Sequence, residues 1–413
     1  MYGNTHLRTA ALLALALLAP SYPRCATLSL DDAVQTALRQ NPAIAAGAAS
    51  ALAARQAARG ASALANPDLL IAPSVVGQAG SDSAILLTQP LEINGSRTAR
   101  SRIARHDAES AAQDASTLRR DIILSVKQRY WDTAQAQQLV KLNEDNIAYL
   151  ETLDKAVRKQ IDVGKIPGAQ AIKTEIELAR ARQELAQAQL GLDTARAALR
   201  AVMGCPSTEA ITTGDELAFS AATLDRNRLV AGAQLCRPEV LSSLAQLASS
   251  EASVGAAQRA RLPDLALQLR KESWDSAEGG IAVAIELPFL DWGSNRARVR
   301  QAQLDTQAKR MRLEAVRNDV ALEVDQAIAA SQAAAAVARE YQSGILEKSA
   351  QLAALAQKGY EKGATSYIEV LEAQRTLRGV KVEYLSALAD YAKAIAKVEW
   401  AAGIDSIGKE ETK

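Results

Sequence analysis

Bulky side chains are scarce in this sequence: two phenylalanines, three methionines and four tryptophans in 413 residues, with aromatics at 4% although apolar residues reach 48%. Ordinary globular domains of that combined length need bulkier cores. The apolar share is carried instead by alanine, about a fifth of the chain and the strongest helix former. Histidine is nearly absent, with His6 near the start and His106 as the two copies. A Ser/His/Asp triad therefore has no material, and no phosphate-binding glycine loop, HxxxH, CxxC or clustered carboxylate ligand set occurs. These absences point to a non-enzyme with no cofactor and no resident metal site. Charge of one sign is lacking too, since 48 Lys+Arg face 47 Asp+Glu. That balance argues against a nucleic-acid partner.

Long hydrophobic runs are also missing. Residues 9–19, TAALLALALLA, follow a positively charged start and have the length of a signal-peptide core, not of a membrane span. Residues 1–26 read as a signal peptide cleaved after Ser21 or Ala26; Tyr22, Pro23 and Arg24 before Cys25 do not resemble a lipidation signal. No later stretch approaches the roughly 18 apolar residues of a membrane helix, so any crossing must use β-strands.

What is present is a repeat. Asn41-Pro42 and Pro67-Asp68 recur as Arg237-Pro238 and Pro263-Asp264, an offset of 196 in both cases, and the offset drifts only to 199 at Gly164 and Gly363. The chain divides into residues 27–204, a connector 205–223, a second copy 224–403 and a flexible tail 404–413.

Each copy opens on alanine-rich helix, capped in the first by Ser29 and interrupted near Asn41-Pro42. A β-hairpin follows, at 68–93 and again at 264–290, where Leu265, Leu267 and Leu269 alternate with Ala266, Gln268 and Arg270. Four strands cannot close a membrane barrel, but three protomers pooling theirs make twelve. Between Gly95 and Gly164 nothing breaks the chain, so one helix of about 100 Å is expected. Coiled-coil seams run through Leu139, Leu142, Asn146, Leu150, Leu153, Val157 and Ile161 and through Val316, Val320, Val324 and Ala327. Turns at Gly164 and Gly363 return the chain into helices at 168–203 and 364–402. The fold class is mostly α with a membrane β-barrel.

Four segments, NPDL (66–69), LTQPLEINGSRTAR (87–100), LPFLDWG (287–293) and GATSYIEVLEAQ (363–374), together resemble the TolC-like outer-membrane factor family. LTQPLEINGSR is most similar to its heavy-metal branch, of the cobalt-zinc-cadmium or copper type. The resemblance implies a homotrimer in the outer membrane of a Gram-negative bacterium, with a 12-stranded barrel, a helical barrel reaching into the periplasm and an equatorial region around the connector. It implies a periplasmic adaptor, an inner-membrane pump of the proton-driven RND type and outer-membrane lipid as partners. It assigns Glu369 and Glu372 to a periplasmic constriction, where threefold symmetry makes two rings of negative charge; two solvated surface acids are the plainer reading. Tyr360 matches the tyrosine of the family's lock, while Thr365 and Gln170 stand where that lock has arginine and aspartate. Val163, Gly164, Lys165, Lys362, Gly363 and Ala364 match the tips that meet the adaptor, and the same glycines also suit an ordinary helical turn.

Cys205 and Cys236 flank the connector in an oxidising compartment, so either they pair as a disulfide or they are two separate thiols. Three functions stand side by side: an exit duct for metal cations, the same duct for drugs or secreted protein, and, from another class, a periplasmic coiled-coil scaffold. A porin is a fourth.

Overall fold

A computed structural model describes residues 27–72, 84–164, 166–205, 211–271, 279–288 and 291–404. The expected signal peptide at 1–26, the expected adaptor-tip residue Lys165 and tail residues 405–413 lie outside the described residues.

The same element order occurs twice. The first half runs α1 (Leu30–Gln40), α2 (Pro42–Ala61), β1 (Asp68–Ala72), β2 (Ala84–Pro90), α3 (Ser96–Asp162) and α4 (Ala169–Met203). The second runs α5 (Arg226–Cys236), α6 (Pro238–Arg259), β3 (Asp264–Lys271), β4 (Gly279–Glu286), α7 (Ser294–Glu340), a π turn (Tyr341–Ile345), α8 (Leu346–Glu361) and α9 (Tyr367–Ala402). Ser29 Oγ accepts from Asp32 N at 3.1 Å and starts α1. Asn41 caps α2, which has Pro42 in its first turn, and its amide also donates to Val202 O at 2.6 Å. α3 is 67 residues long, on the order of 100 Å at the α-helical rise. α9 begins at Tyr367, later than the sequence suggests, because 364–366 form a turn that Ser366 caps.

The four strands form one antiparallel sheet in the order β1-β2-β3-β4. Register sets its chemistry, because directly paired residues share a face. Leu69 pairs with Leu87, Leu87 with Leu269 and Leu269 with Ile281; Leu267 pairs with Val283 and Leu265 with Ile285. One face is thus mainly aliphatic, broken by Gln89 and Lys271, whereas the other sets Leu70 and Leu86 beside Thr88, Gln268, Arg270, Ala282, Ala284 and Glu286. Ile281 is 75% exposed within the protomer. A mainly apolar face backed by one richer in small and polar residues is the pattern of a barrel in lipid.

The two copies build matching cores. Ala37, Ile122, Val126, Tyr130 and Leu199 pack together in the first; Ala233, Val320, Val324, Ile328 and Val398 pack in the second. Tyr130 and Ile328 stand 198 apart, whereas Gly164 and Gly363 stand 199 apart, so one residue has been gained between them. The π turn lies in that interval, and a π turn is an α-helix that has absorbed one extra residue. Tyr341 Oη bonds Glu383 Oε2 across it at 2.9 Å.

The connector is nailed to the first copy. Leu28 bridges Thr213 in parallel, and Asp215 Oδ2 accepts from Tyr130 Oη at 2.7 Å and from Leu30 N at 2.8 Å. Leu217 and Phe219 then pack against α7 and α9. The structure does not join Cys205 to Cys236 as a disulfide. The reason is the repeat: Cys205 follows α4 at the corner of the first copy, where its thiol donates to Gln40 Oε1 at 3.3 Å, whereas Cys236 ends α5 at the corresponding corner of the second. At that second corner Arg237, 2% exposed, bonds Glu239 and Glu323 and stacks 4.7 Å over Trp400.

Gly204 and Gly403 end α4 and α9 at φ +74° and +82°, but a Cβ on Gly204 would lie 2.7 Å from Gln40 O, whereas Gly403 has no atom nearer than 3.5 Å. Gly204→Ala should therefore cost about 1–3 kcal/mol more than Gly403→Ala, adding overpacking to the left-handed strain that both share. Thermal unfolding of the two variants checks the order. Burial alone would raise the Glu239 carboxyl, but the Arg237 guanidinium outweighs it and holds the group below its ordinary 4.5. The stabilisation is present above pH 4.5 and lost as pH falls through the lower folded value. Glu239→Gln should flatten the pH dependence of melting temperature in that acid range.

Candidate periplasmic gate

Two helical turns lie far from the sheet along α3 and α8. Gly164 and Gly363 take φ +72° and +75°, and a Cβ on either would meet nothing within 4 Å. These glycines are required by backbone angle, not by space. Val163 beside the first is 63% exposed; Lys362 and Ala364 beside the second are exposed too. All five described tip residues are thus accessible on the protomer.

The second turn is tightly made. Ala364 N and Thr365 N both donate to Gly359 O, at 2.8 and 3.3 Å. Thr365 Oγ1 would collide with any Cβ on Gly359. Its side chain is spent inside the turn.

Glu369 belongs to a capping box: its N–H donates to Ser366 Oγ at 3.3 Å, and its Oε2 accepts from Ser366 N at 3.1 Å. That is an N-terminal helix lock with its own structural purpose. Glu372, one turn on, is exposed and lines a hollow with Lys173, Ile176, Glu177, Ile368 and Arg375. The structure therefore separates the two acids: Glu369 has one oxygen engaged, and Glu372 faces the hollow with Lys173 of the first copy.

Tyr360 does not reach across to the other copy's return helix; its hydroxyl donates to Gln160 Oε1 on α3 at 3.1 Å. Gln170 offers its backbone oxygen to Thr174 Oγ1 at 2.9 Å, while its side-chain Oε1 is buried without a hydrogen-bond partner. The cross-connection is made by residues that sequence reasoning passed over. Thr174 and Tyr367 bond hydroxyl to hydroxyl, and because Thr174 gives its proton to Gln170 O, Tyr367 is the donor. Arg375 grips both carboxylate oxygens of Glu177, with Nε 3.2 Å from Oε2. Arg378 reaches Glu184 at 2.6 Å and Asn143 at 3.3 Å. A signal was present, for 367, 371, 375 and 378 step by three and four, as do 174, 177, 181 and 184.

Burial decides which contact matters most. Thr174 and Tyr367 are 0% and 2% exposed, and Leu371 packs beside them against Ala181. Arg375 is 53% exposed at its side chain, so its pair contributes about 0–1 kcal/mol. Burial pushes the phenols of Tyr360 and Tyr367 up, keeping both neutral at physiological pH.

Among the described residues no helix is long and apolar enough to cross a membrane, and no cluster of three or more His, Cys, Asp or Glu is placed to hold a metal. The sequence matches the outer membrane efflux protein family over residues 33–205 and 229–403. The chain belongs to that family. This efflux protein is 27% identical to the cobalt-zinc-cadmium resistance protein CzcC of Cupriavidus metallidurans, over 92% of this chain and 91% of that one. It is 28% identical to the solvent efflux pump outer membrane protein SrpC of Pseudomonas putida, over 60% and 54%. The crystallised channel CusC superposes with a TM-score of 0.76 at 19% identity, covering 94% of this chain and all of that one. It is an outer-membrane efflux channel that extends into the periplasm.

Tyr367→Phe removes a buried hydrogen bond worth about 1 kcal/mol, so amide exchange at the start of α9 should speed about fivefold. Glu177→Gln should leave exchange there nearly unchanged at physiological salt. The reverse order would mean that the exposed ion pair holds the tips.

Proposed function

We propose that this channel is the passive exit duct of a tripartite efflux system, carrying divalent heavy-metal cations delivered by an inner-membrane pump of the proton-driven RND type through a periplasmic adaptor. The observation that carries it is the four-stranded sheet with one apolar face and two open edges. Three copies closing edge to edge make a twelve-stranded barrel and satisfy every edge group, which lipid does not. A periplasmic scaffold leaves that apolar face without an occupant. The likeness to a cobalt-zinc-cadmium resistance protein runs the length of both chains, whereas the likeness to a solvent pump component spans about three-fifths of this one; this favours metal over organic cargo or secreted protein.

In this reading Glu372, with Glu369 behind it, forms the cation-selective constriction, because threefold symmetry focuses three or six carboxylates on one axis. Thr174–Tyr367 and the flanking Glu177–Arg375 and Glu184–Arg378 pairs hold α4 and α9 together at the closed end. The turns at Val163, Gly164, Lys165, Lys362, Gly363 and Ala364 present the adaptor-binding surface.

Planar-bilayer recording tests the constriction. Glu372→Gln should lower cation selectivity and divalent block more than Glu369→Gln, and the double substitution should lower them most. Unchanged selectivity in the double variant removes both acids from the pore. For cargo, a strain lacking the gene should lose tolerance to zinc, cobalt or cadmium while keeping its tolerance to organic solvents.

A further inference from the structure

We infer that the rim where the strands meet the long helices is a docking surface for anionic phospholipid headgroups, contacted by Trp292 and by arginines at the starts of α3 and α7. This rests on the outer-membrane placement of the sheet, and on neither the pump nor the metal cargo.

Trp292 is fully exposed, at 103%, and has no ring, cation–π or hydrogen-bond contact among the described residues. It does not hang on a loose loop. The Asp291 carboxylate accepts from Gly293 N at 3.2 Å and from Asn295 N, so the indole projects from a pinned turn. That turn follows β4, whose Ile281, Val283 and Ile285 belong to the apolar face, and Leu287 between them is 48% exposed. Leu91 and Ile93, at the corresponding junction of the first copy, are 43% and 61% exposed. An apolar band that ends on a tryptophan has the composition of the membrane interface, where an indole sits with its polar edge among headgroups.

At the helix starts below the band, the exposed charge is mostly arginine. Neither α3 nor α7 has an acid in its first turn, yet Arg97 to Arg105 and Arg296 to Arg300 crowd their starts. Arg97 and Arg296, in the first turns, oppose the helix dipole, so their reason lies outside the helix. Arg100 has one, since it pairs with Glu92 and bonds the carbonyls of Ala61 and Ala63. Arg102, Arg105, Arg296 and Arg298 are exposed and make no hydrogen bond or ion pair with any described residue. Guanidinium forks take phosphodiester oxygens in pairs. Their position just beyond an apolar band selects a lipid phosphate as occupant, and the complementary charge selects an anionic headgroup.

The test uses the full-length protein, purified and reconstituted into phosphatidylcholine bilayers with and without phosphatidylglycerol. Native mass spectrometry counts the lipids retained; brominated lipids quench nearby tryptophan. Phosphatidylglycerol should be retained about tenfold or more over phosphatidylcholine, and the variant R102Q/R105Q/R296Q/R298Q should lose most of that preference. Trp292→Phe should remove the part of the quenching that distinguishes brominated phosphatidylglycerol. Equal retention of the two lipids, a variant indistinguishable from wild type, or displacement by inorganic phosphate would each overturn the headgroup surface. Conductance of the same samples keeps the outcomes apart: a conducting variant without lipid preference sinks this surface alone, whereas a protein that never conducts sinks the duct and leaves the lipid count readable.

Discussion

Backbone groups on a strand edge have to be hydrogen-bonded where no water reaches them, and the rest of this molecule is arranged around that constraint. One protomer supplies a sheet with a mainly aliphatic face and, among the described residues, two unpaired edges, β1 and β4. Neither feature is stable in isolation: the face needs lipid, and the edges need strands from elsewhere. The helices below inherit the same incompleteness. Their alanine-rich surfaces are shallow enough for close packing against neighbours, and the protomer's own core is a string of small clusters along its length, not one centre.

Duplication solves the supply of strands and helices, and divergence between the copies supplies what a symmetric pair lacks. Equivalent core positions stay apolar, with Tyr130 answered by Ile328 and Leu199 by Val398, so both copies keep one packing scheme. Their corners differ: Asn41 caps its helix and binds Val202 O, whereas the equivalent Arg237 is buried between two glutamates and the Trp400 ring. The extra residue in the second copy is absorbed in the π turn at 341–345, beside the connector's Leu217 and Phe219. At the far end, the first copy contributes Thr174 and Glu177 and the second Tyr367 and Arg375, so the contact between α4 and α9 there is made between unlike copies.

Much of this was legible because it is periodic or local. Ser29, Asn41 and Ser366 act on amides two or three residues away, and Gly164, Gly204, Gly363 and Gly403 answer to a backbone angle that few other residues tolerate. The tip constellation was only half legible. Glu369 and Glu372 are equivalent as a pair of acids three apart, but a capping box needs the serine's geometry before it can claim one of them. Tyr360 and Tyr367 are both plausible lock residues by composition. Packing decides which one crosses to α4: Leu371 against Ala181 sets the face of α9 that carries Tyr367, whereas Tyr360 sits on α8 and bonds Gln160 of α3.

The sequence by itself determined the repeat, most of the strand and helix inventory and the family to which the chain belongs, because each rests on identity and spacing along the chain. Tertiary structure alone decided the strand order and register that gather most of the aliphatic residues on one face, the separation of Cys205 from Cys236 at the corresponding corners of the two copies, the pairing of Thr174 with Tyr367 and of Glu177 with Arg375, and the exposure of Trp292 near exposed arginines. Those contacts join residues up to about two hundred positions apart. Nothing local selects such partners; the packing of the whole helical frame does.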